Sequence, residues 1–128
     1  MKTLINISVL FAFILLGSGV YSQSCDLRII DSDNTSGASY SGYIELWDYS
    51  GTPTQLSHEN FYNKYYSSSG ATVNIALTYQ VAPDIASLKF IVHAVNQSTS
   101  KSGDASSPNY FDSDDYYNNH PDVSLSIQ

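Results

Sequence analysis

The feature that most constrains this chain is the two-residue rhythm of residues 71–95. Val73, Ile75, Leu77, Tyr79 and Val81 are apolar, while Asn74, Thr78 and Gln80 between them are polar. Beyond Pro83 and Asp84 the rhythm returns as Leu88, Phe90, Val92 and Ala94, set against Lys89 and His93. Successive side chains of a strand leave on opposite faces, so each half reads as a strand with one buried row. Pro83 and Asp84 carry turn chemistry, which makes an antiparallel pair at the centre of the core the simplest expectation.

The remaining strand signals are shorter. Leu27–Ile30 is a strand candidate that runs into a loop of Asp, Ser, Asn and Gly. Residues 42–49, GYIELWDY, put Tyr43, Glu45, Trp47 and Tyr49 on one face and Ile44, Leu46 and Asp48 on the other. Ile44 and Leu46 are expected inside, with Trp47 partly covered at an edge. Residues 50–70 lose the rhythm and read as a long connection, in which Phe61, Tyr62, Tyr65 and Tyr66 gather as an aromatic knot. Residues 97–121 are rich in Ser, Asn, Asp and Tyr and read as a loosely tied excursion. The end, DVSLSIQ, alternates cleanly again.

About five to six strands without a convincing helix, in one domain of residues 23–128, predict an all-β antiparallel sandwich. The expected core is Leu27, Ile29, Ile44, Leu46, Val73, Ile75, Leu77, Leu88, Phe90, Val92, Leu125 and Ile127. Each such burial stabilises by roughly 1.5–3 kcal/mol. Together they offset much of the cost of ordering a chain that has no internal disulfide.

Residues 1–22 read as a cleaved secretory signal. Lys2 is followed by the apolar run VLFAFILL and by small residues up to Ser22. That run is too short for a membrane span, which needs about 20 apolar residues. A secreted, extracellular protein is therefore expected. Beyond residue 22, twelve carboxylates face only Arg28, Lys64, Lys89 and Lys101, a formal charge of −8. Nucleic acid and anionic lipid need clustered Lys and Arg, so neither is an expected partner. Cys25 is the single cysteine, and an odd thiol in an exported protein either joins a second chain or stays inert.

The order of parts resembles a known family. CDLRII, an Asn/Gly loop, YIELWDY, a long polar connection and VNIALTYQVAPDIASLKFIVHAV are similar to the C2-like N-terminal (MNNL) domain of Notch ligands. The likeness continues through a long excursion to a last strand, here DVSLSIQ. It implies a C2-like sandwich whose tip loops bind ligand. The paired cysteines of that family are absent here, so receptor activation is not implied and no functional residue carries over.

Candidate chemistry lies in the loops. Asp31 and Asp33, with Asp112, Asp114 and Asp115, would form a calcium site if two tip loops met, since calcium takes six to eight oxygens. The other reading of these carboxylates is a solvated surface. Tyr110, Phe111, Tyr116 and Tyr117 stand as a ligand-binding loop, because tyrosine offers rigid contact area with a polar tip; equally, tyrosine suits the strands of a small β protein. Asn34 and Asn96 sit in glycosylation triplets. His58, His93 and His120 lack the spacing of a zinc site, and no nucleophile motif points to an enzyme. The resulting expectation is a secreted acidic module that binds an extracellular protein, carbohydrate or mineral. The alternative is a matrix component self-associating as a homo-oligomer through strand edges and Cys25.

Overall fold

The computed structural model describes residues 23–128; the expected signal segment lies outside the described residues. In chain order the elements are β1 (Gln23–Ile30), β2 (Ala38–Asp48), β3 (Thr54–Tyr66), β4 (Thr72–Leu77), β5 (Leu88–Asn96), β6 (Ser102–Ser106), α1 (Ser113–Asn118) and β7 (Asp122–Ser126). They form two sheets, one in the order β4-β1-β7 and the other β3-β2-β5-β6. The pairing is antiparallel throughout except for β1 with β7, which run parallel. The chain is an all-β sandwich.

The expected hairpin of residues 73–94 does not form. β4 pairs with β1, while β5 pairs with β2 in the opposite sheet. Residues 78–87 carry the chain across, with Asp84 in the left-handed region at φ 67°. An apolar row is buried as well when it faces a second row across the sandwich as when it lies beside one. Alternation therefore marks the inward face and leaves the neighbour open.

Two stretches read as loops hold regular structure. β3 fills most of residues 50–70 as an edge strand. Its rhythm is hidden because Asn63 has φ 50°, and the register shifts between Tyr40 and Gly42 and between Leu46 and Trp47. Phe61 and Tyr66, five residues apart, thus both turn inward, while Tyr62 and Tyr65 stay exposed. The aromatic knot is split between two faces. Residues 97–121 hold β6 and α1. The helix, of 6 residues, is under two turns long. Its N-cap Asp112 accepts from the Asp115 amide at 2.8 Å, and Asp114 and Asp115 sit favourably in the first turn.

Eleven of the twelve expected core residues are buried; Val73, on edge strand β4, stays half exposed. Cys25, Tyr40, Phe61, Tyr66, Val81, Ala94, Phe111, Tyr116 and Val123 complete the core. The sheets are latched along both sides. The Gln128 amide donates to the Ser102 carbonyl at 3.1 Å where β6 meets the chain end. On the other side the Glu59 carboxylate of β3 accepts from the Thr78 amide and hydroxyl, each at 2.8 Å. β6 comes so near β7 that a Cβ on Gly103 would run into the Ser126 carbonyl oxygen.

A buried polar cluster closes one end. Asp31, 1% exposed, accepts from the Tyr40 hydroxyl at 2.8 Å, Asn96 Nδ2 at 2.7 Å and the Asp33 amide at 3.0 Å. Tyr66 packs edge-on against Tyr40 and donates to the Leu27 carbonyl at 3.0 Å. Burial disfavours the Asp31 anion, yet the bonds from Asn96, Tyr40 and the Asp33 amide, with Lys101 nearby, hold its carboxyl below the usual range.

Two stability measurements follow. Gly103→Ala should lose about 1–3 kcal/mol in urea unfolding through overpacking at the β6–β7 contact. Asp31→Asn should lose about 1.5–3 kcal/mol at pH 7, the range for hydrogen bonds to a charged group. Because the folded carboxyl titrates below its unfolded value of about 3.9, its contribution is present above that pH and lost as pH falls through the folded value. The gap between parent and variant should therefore narrow below about pH 4.

Candidate functional site

The structure separates the residues singled out from sequence. Asp31 immediately follows β1, while Asp112, Asp114 and Asp115 lie at α1, whose Tyr116 shares the Tyr79 carbonyl with Gln23 at the start of β1. The length of β1, about 25 Å at 3.3 Å per residue, divides them, so the two acidic groups do not meet. Asp31 is spent on the buried cluster, and Asp33 pairs with Lys101. Among the described residues, no three His, Cys, Asp or Glu side chains gather closely enough to hold a metal ion. The calcium site expected from converging tip loops is not assembled.

The glycosylation triplets are also corrected. Asn34 is 4% exposed and its Nδ2 donates to the Tyr66 carbonyl at 3.2 Å; Asn96 is 1% exposed and its Nδ2 donates to Asp31. A sugar on either nitrogen would require the buried cluster to come apart. Cys25 lies wholly inside on the central strand β1. Burial, with the charges of Asp26 and Asp122, pushes its thiol well above the ordinary range. Its side chain is part of the buried core.

The tyrosine loop divides by face. Leu88 and Phe111 exchange backbone hydrogen bonds at 2.7 and 3.0 Å, and Phe111 turns inward onto Phe90, with ring centroids 4.9 Å apart. Tyr116 is buried and its hydroxyl donates to the Tyr79 carbonyl at 2.8 Å. Tyr117 is half-buried; its hydroxyl accepts from the Val81 amide at 2.7 Å and donates to the Val81 carbonyl at 2.8 Å. These three fasten α1 to the fold. Tyr110 alone points out, 56% exposed.

Tyr110 joins a belt of rings on the outer face of the β3-β2-β5-β6 sheet. Register places Tyr43 opposite His93 and Trp47 opposite Lys89. His58, Tyr43 and His93 stack across three strands, with centroid separations of 4.5 and 5.3 Å and interplanar angles of 28° and 22°. His93 Nδ1 meets Asp104 Oδ1 at 2.8 Å, which extends the row to β6. Further along β2, Trp47 contacts Tyr49 at 6.4 Å, Tyr49 contacts Tyr110 at 5.6 Å, and Lys89 Nζ lies 4.9 Å over the Tyr110 ring. Glu45 stands between the two groups and accepts from the Trp47 indole at 3.3 Å. The shared face of Tyr43, Trp47 and Tyr49 was legible in the alternation of β2. The histidines and Tyr110 were not, because only cross-strand pairing brings them there.

An open cleft of about 580 Å³ lies between residues 80–86 and α1. Val81, Pro83, Ile85 and Tyr117 give it an apolar wall, and Asp84, Asp112 and Asp114 line it with carboxylates. The Ser113 amide donates to the Ile85 carbonyl at 2.9 Å and ties its two sides together. Comparison of the chain with protein-family models, with curated proteins and with solved structures returns no match.

A thiol reagent measures how Cys25 is held. The native protein should leave it unlabelled and label one equivalent on unfolding in urea. Its elution on size exclusion should be the same with and without reductant. Rapid native labelling or a reductant-sensitive dimer would contradict the buried assignment.

Proposed function

We propose that this chain is an extracellular carbohydrate-binding module whose contact surface is the ring belt of the four-stranded sheet. The observation that carries this reading is the placement of Tyr43, Trp47, Tyr49 and Tyr110 along one open face, with Glu45 and Lys89 on the same face. Aromatic rings present an apolar body and a polar tip, which suits the C–H faces of sugar rings edged by hydroxyls. The neighbouring Glu45 carboxylate and Lys89 amine supply an acceptor and donors for those hydroxyls. Tyr43 and Trp47 are held on strand β2, which limits the ordering cost of binding.

The charge narrows the ligand. At a formal −8 over residues 23–128, the domain repels sulfated or uronic-acid polymers, so neutral or cationic sugars fit best. The assembly reading has less support, because Cys25 is buried and both sides of the sandwich are latched by hydrogen bonds.

Trp47 is the only tryptophan, so its fluorescence reports from the belt directly. Titration with a panel of neutral and charged polysaccharides should shift its emission saturably for a neutral or cationic member. Trp47→Ala should weaken that binding at least ten-fold, read by calorimetry, with the melting temperature within a few degrees of the parent. No response across the panel, or unchanged affinity in the variant, would overturn the reading.

A further inference from the structure

The ring belt has two halves of different character on one unbroken face. Three successive outward pairs of β2 and β5 tile that face: Tyr43 with His93, Glu45 with Ile91, and Trp47 with Lys89. β2 lies between β3 and β5, so His58 and His93 cover opposite faces of the Tyr43 ring, stacked at 4.5 and 5.3 Å. Side chains stand roughly perpendicular to a sheet, so this row turns ring edges outward rather than ring faces. Among the described residues, neither the Tyr43 hydroxyl nor the His58 ring has a hydrogen-bond partner. His93 Nδ1 donates to the Asp104 carboxylate at 2.8 Å, which leaves Nε2 of the neutral ring as an acceptor. The other half is different. Trp47 is half-buried, and its ring contact with Tyr49 is tilted by 36° rather than stacked. A hydrogen-bonding edge thus stands at one end of the face and a stacking surface at the other. They are four residues apart along β2, about 13 Å.

We propose that the His58–Tyr43–His93 row is a second subsite, which hydrogen-bonds the hydroxyls of a saccharide whose other end stacks on Trp47. The ligand is accordingly a linear oligosaccharide of at least three units lying along β2. The proposal rests on the carbohydrate reading and adds the length and direction of the ligand. A disaccharide is too short to reach from Trp47 to Tyr43. Every unit of a longer chain carries both an apolar C–H face and a rim of hydroxyls, so one chain satisfies both surfaces. Glu45, midway between them and bonded to the Trp47 indole, keeps an acceptor along the path.

The test measures binding of fragments of two, three, four and six units from cellulose, chitin and β-mannan, by Trp47 fluorescence and calorimetry. Affinity for one of these series should rise about ten-fold between two and four units, the worth of two added hydrogen bonds, and then level off. The variant Y43F/H58F keeps three rings in the row and removes the hydroxyl and one imidazole. In it the gain from two to four units should vanish, while Trp47→Ala should weaken every length. A merely structural role for the row would lower affinity equally at all lengths. Equal affinity at every length, a gain that Y43F/H58F keeps, or a loss equal at every length overturns the second subsite and leaves the carbohydrate reading standing. So does binding of a polysaccharide with no fragment bound. Silence of fragments and polysaccharides alike overturns both. A concentration-dependent dimer on size exclusion that Trp47→Ala abolishes would assign the face to a second copy of the chain, and would also overturn both.

Discussion

A carboxylate with almost no exposure to water sets the terms for one whole end of this molecule. An ionised Asp31 is tolerable there only while donors meet both of its oxygens. Its donors come from separate parts of the chain: Tyr40 from β2, Asn96 from the end of β5, and the Asp33 amide from the turn that follows β1. β1 belongs to one sheet, and β2 and β5 to the other. The cluster therefore fixes how the sheets align at this end, a directional requirement that apolar packing does not impose. Asn34, Tyr66 and Ser69 extend it to β3 and the turn beyond.

At the other end, tyrosine does the fastening. Tyr116 and Tyr117 donate their hydroxyls to the carbonyls of Tyr79 and Val81, so a helix too short to be stable alone is held by its side chains. That leaves one exposed ring, Tyr110, fixed by the inward turn of its neighbour Phe111. The ring belt and the cleft share this rigid foundation. Under the proposed function, the rings on β2 would lose less entropy on binding than the tip loops first expected, because the strand already orders them.

Much of the core was readable in advance, because burial of an alternating row is a local property. Ile44 and Leu46, Phe90 and Val92, and Leu125 all face inward as the rhythm requires. β3 was not readable, since the backbone turn at Asn63 and two register shifts break its period. β6 was hidden because a five-residue strand of Ser, Gly, Asp and Ala has almost no apolar row to display. Among candidate site residues, the facing of Trp47 was visible from its own strand. The joining of His58, His93 and Tyr110 to it was not, nor was the withdrawal of Asn34, Asn96 and Cys25 into the interior.

The chain by itself determined its class: period two, strong β formers and scarce helix signals leave stacked sheets as the way to hide the apolar rows. Its acidity, too, was set before folding. What tertiary structure alone decided is which strand lies beside which, and hence which polar groups end up inside. Pairing joins residues such as Ile29 and Leu125 that are distant in sequence. The free energy of that choice resides in contacts and hydrogen bonds between segments, which no single segment carries.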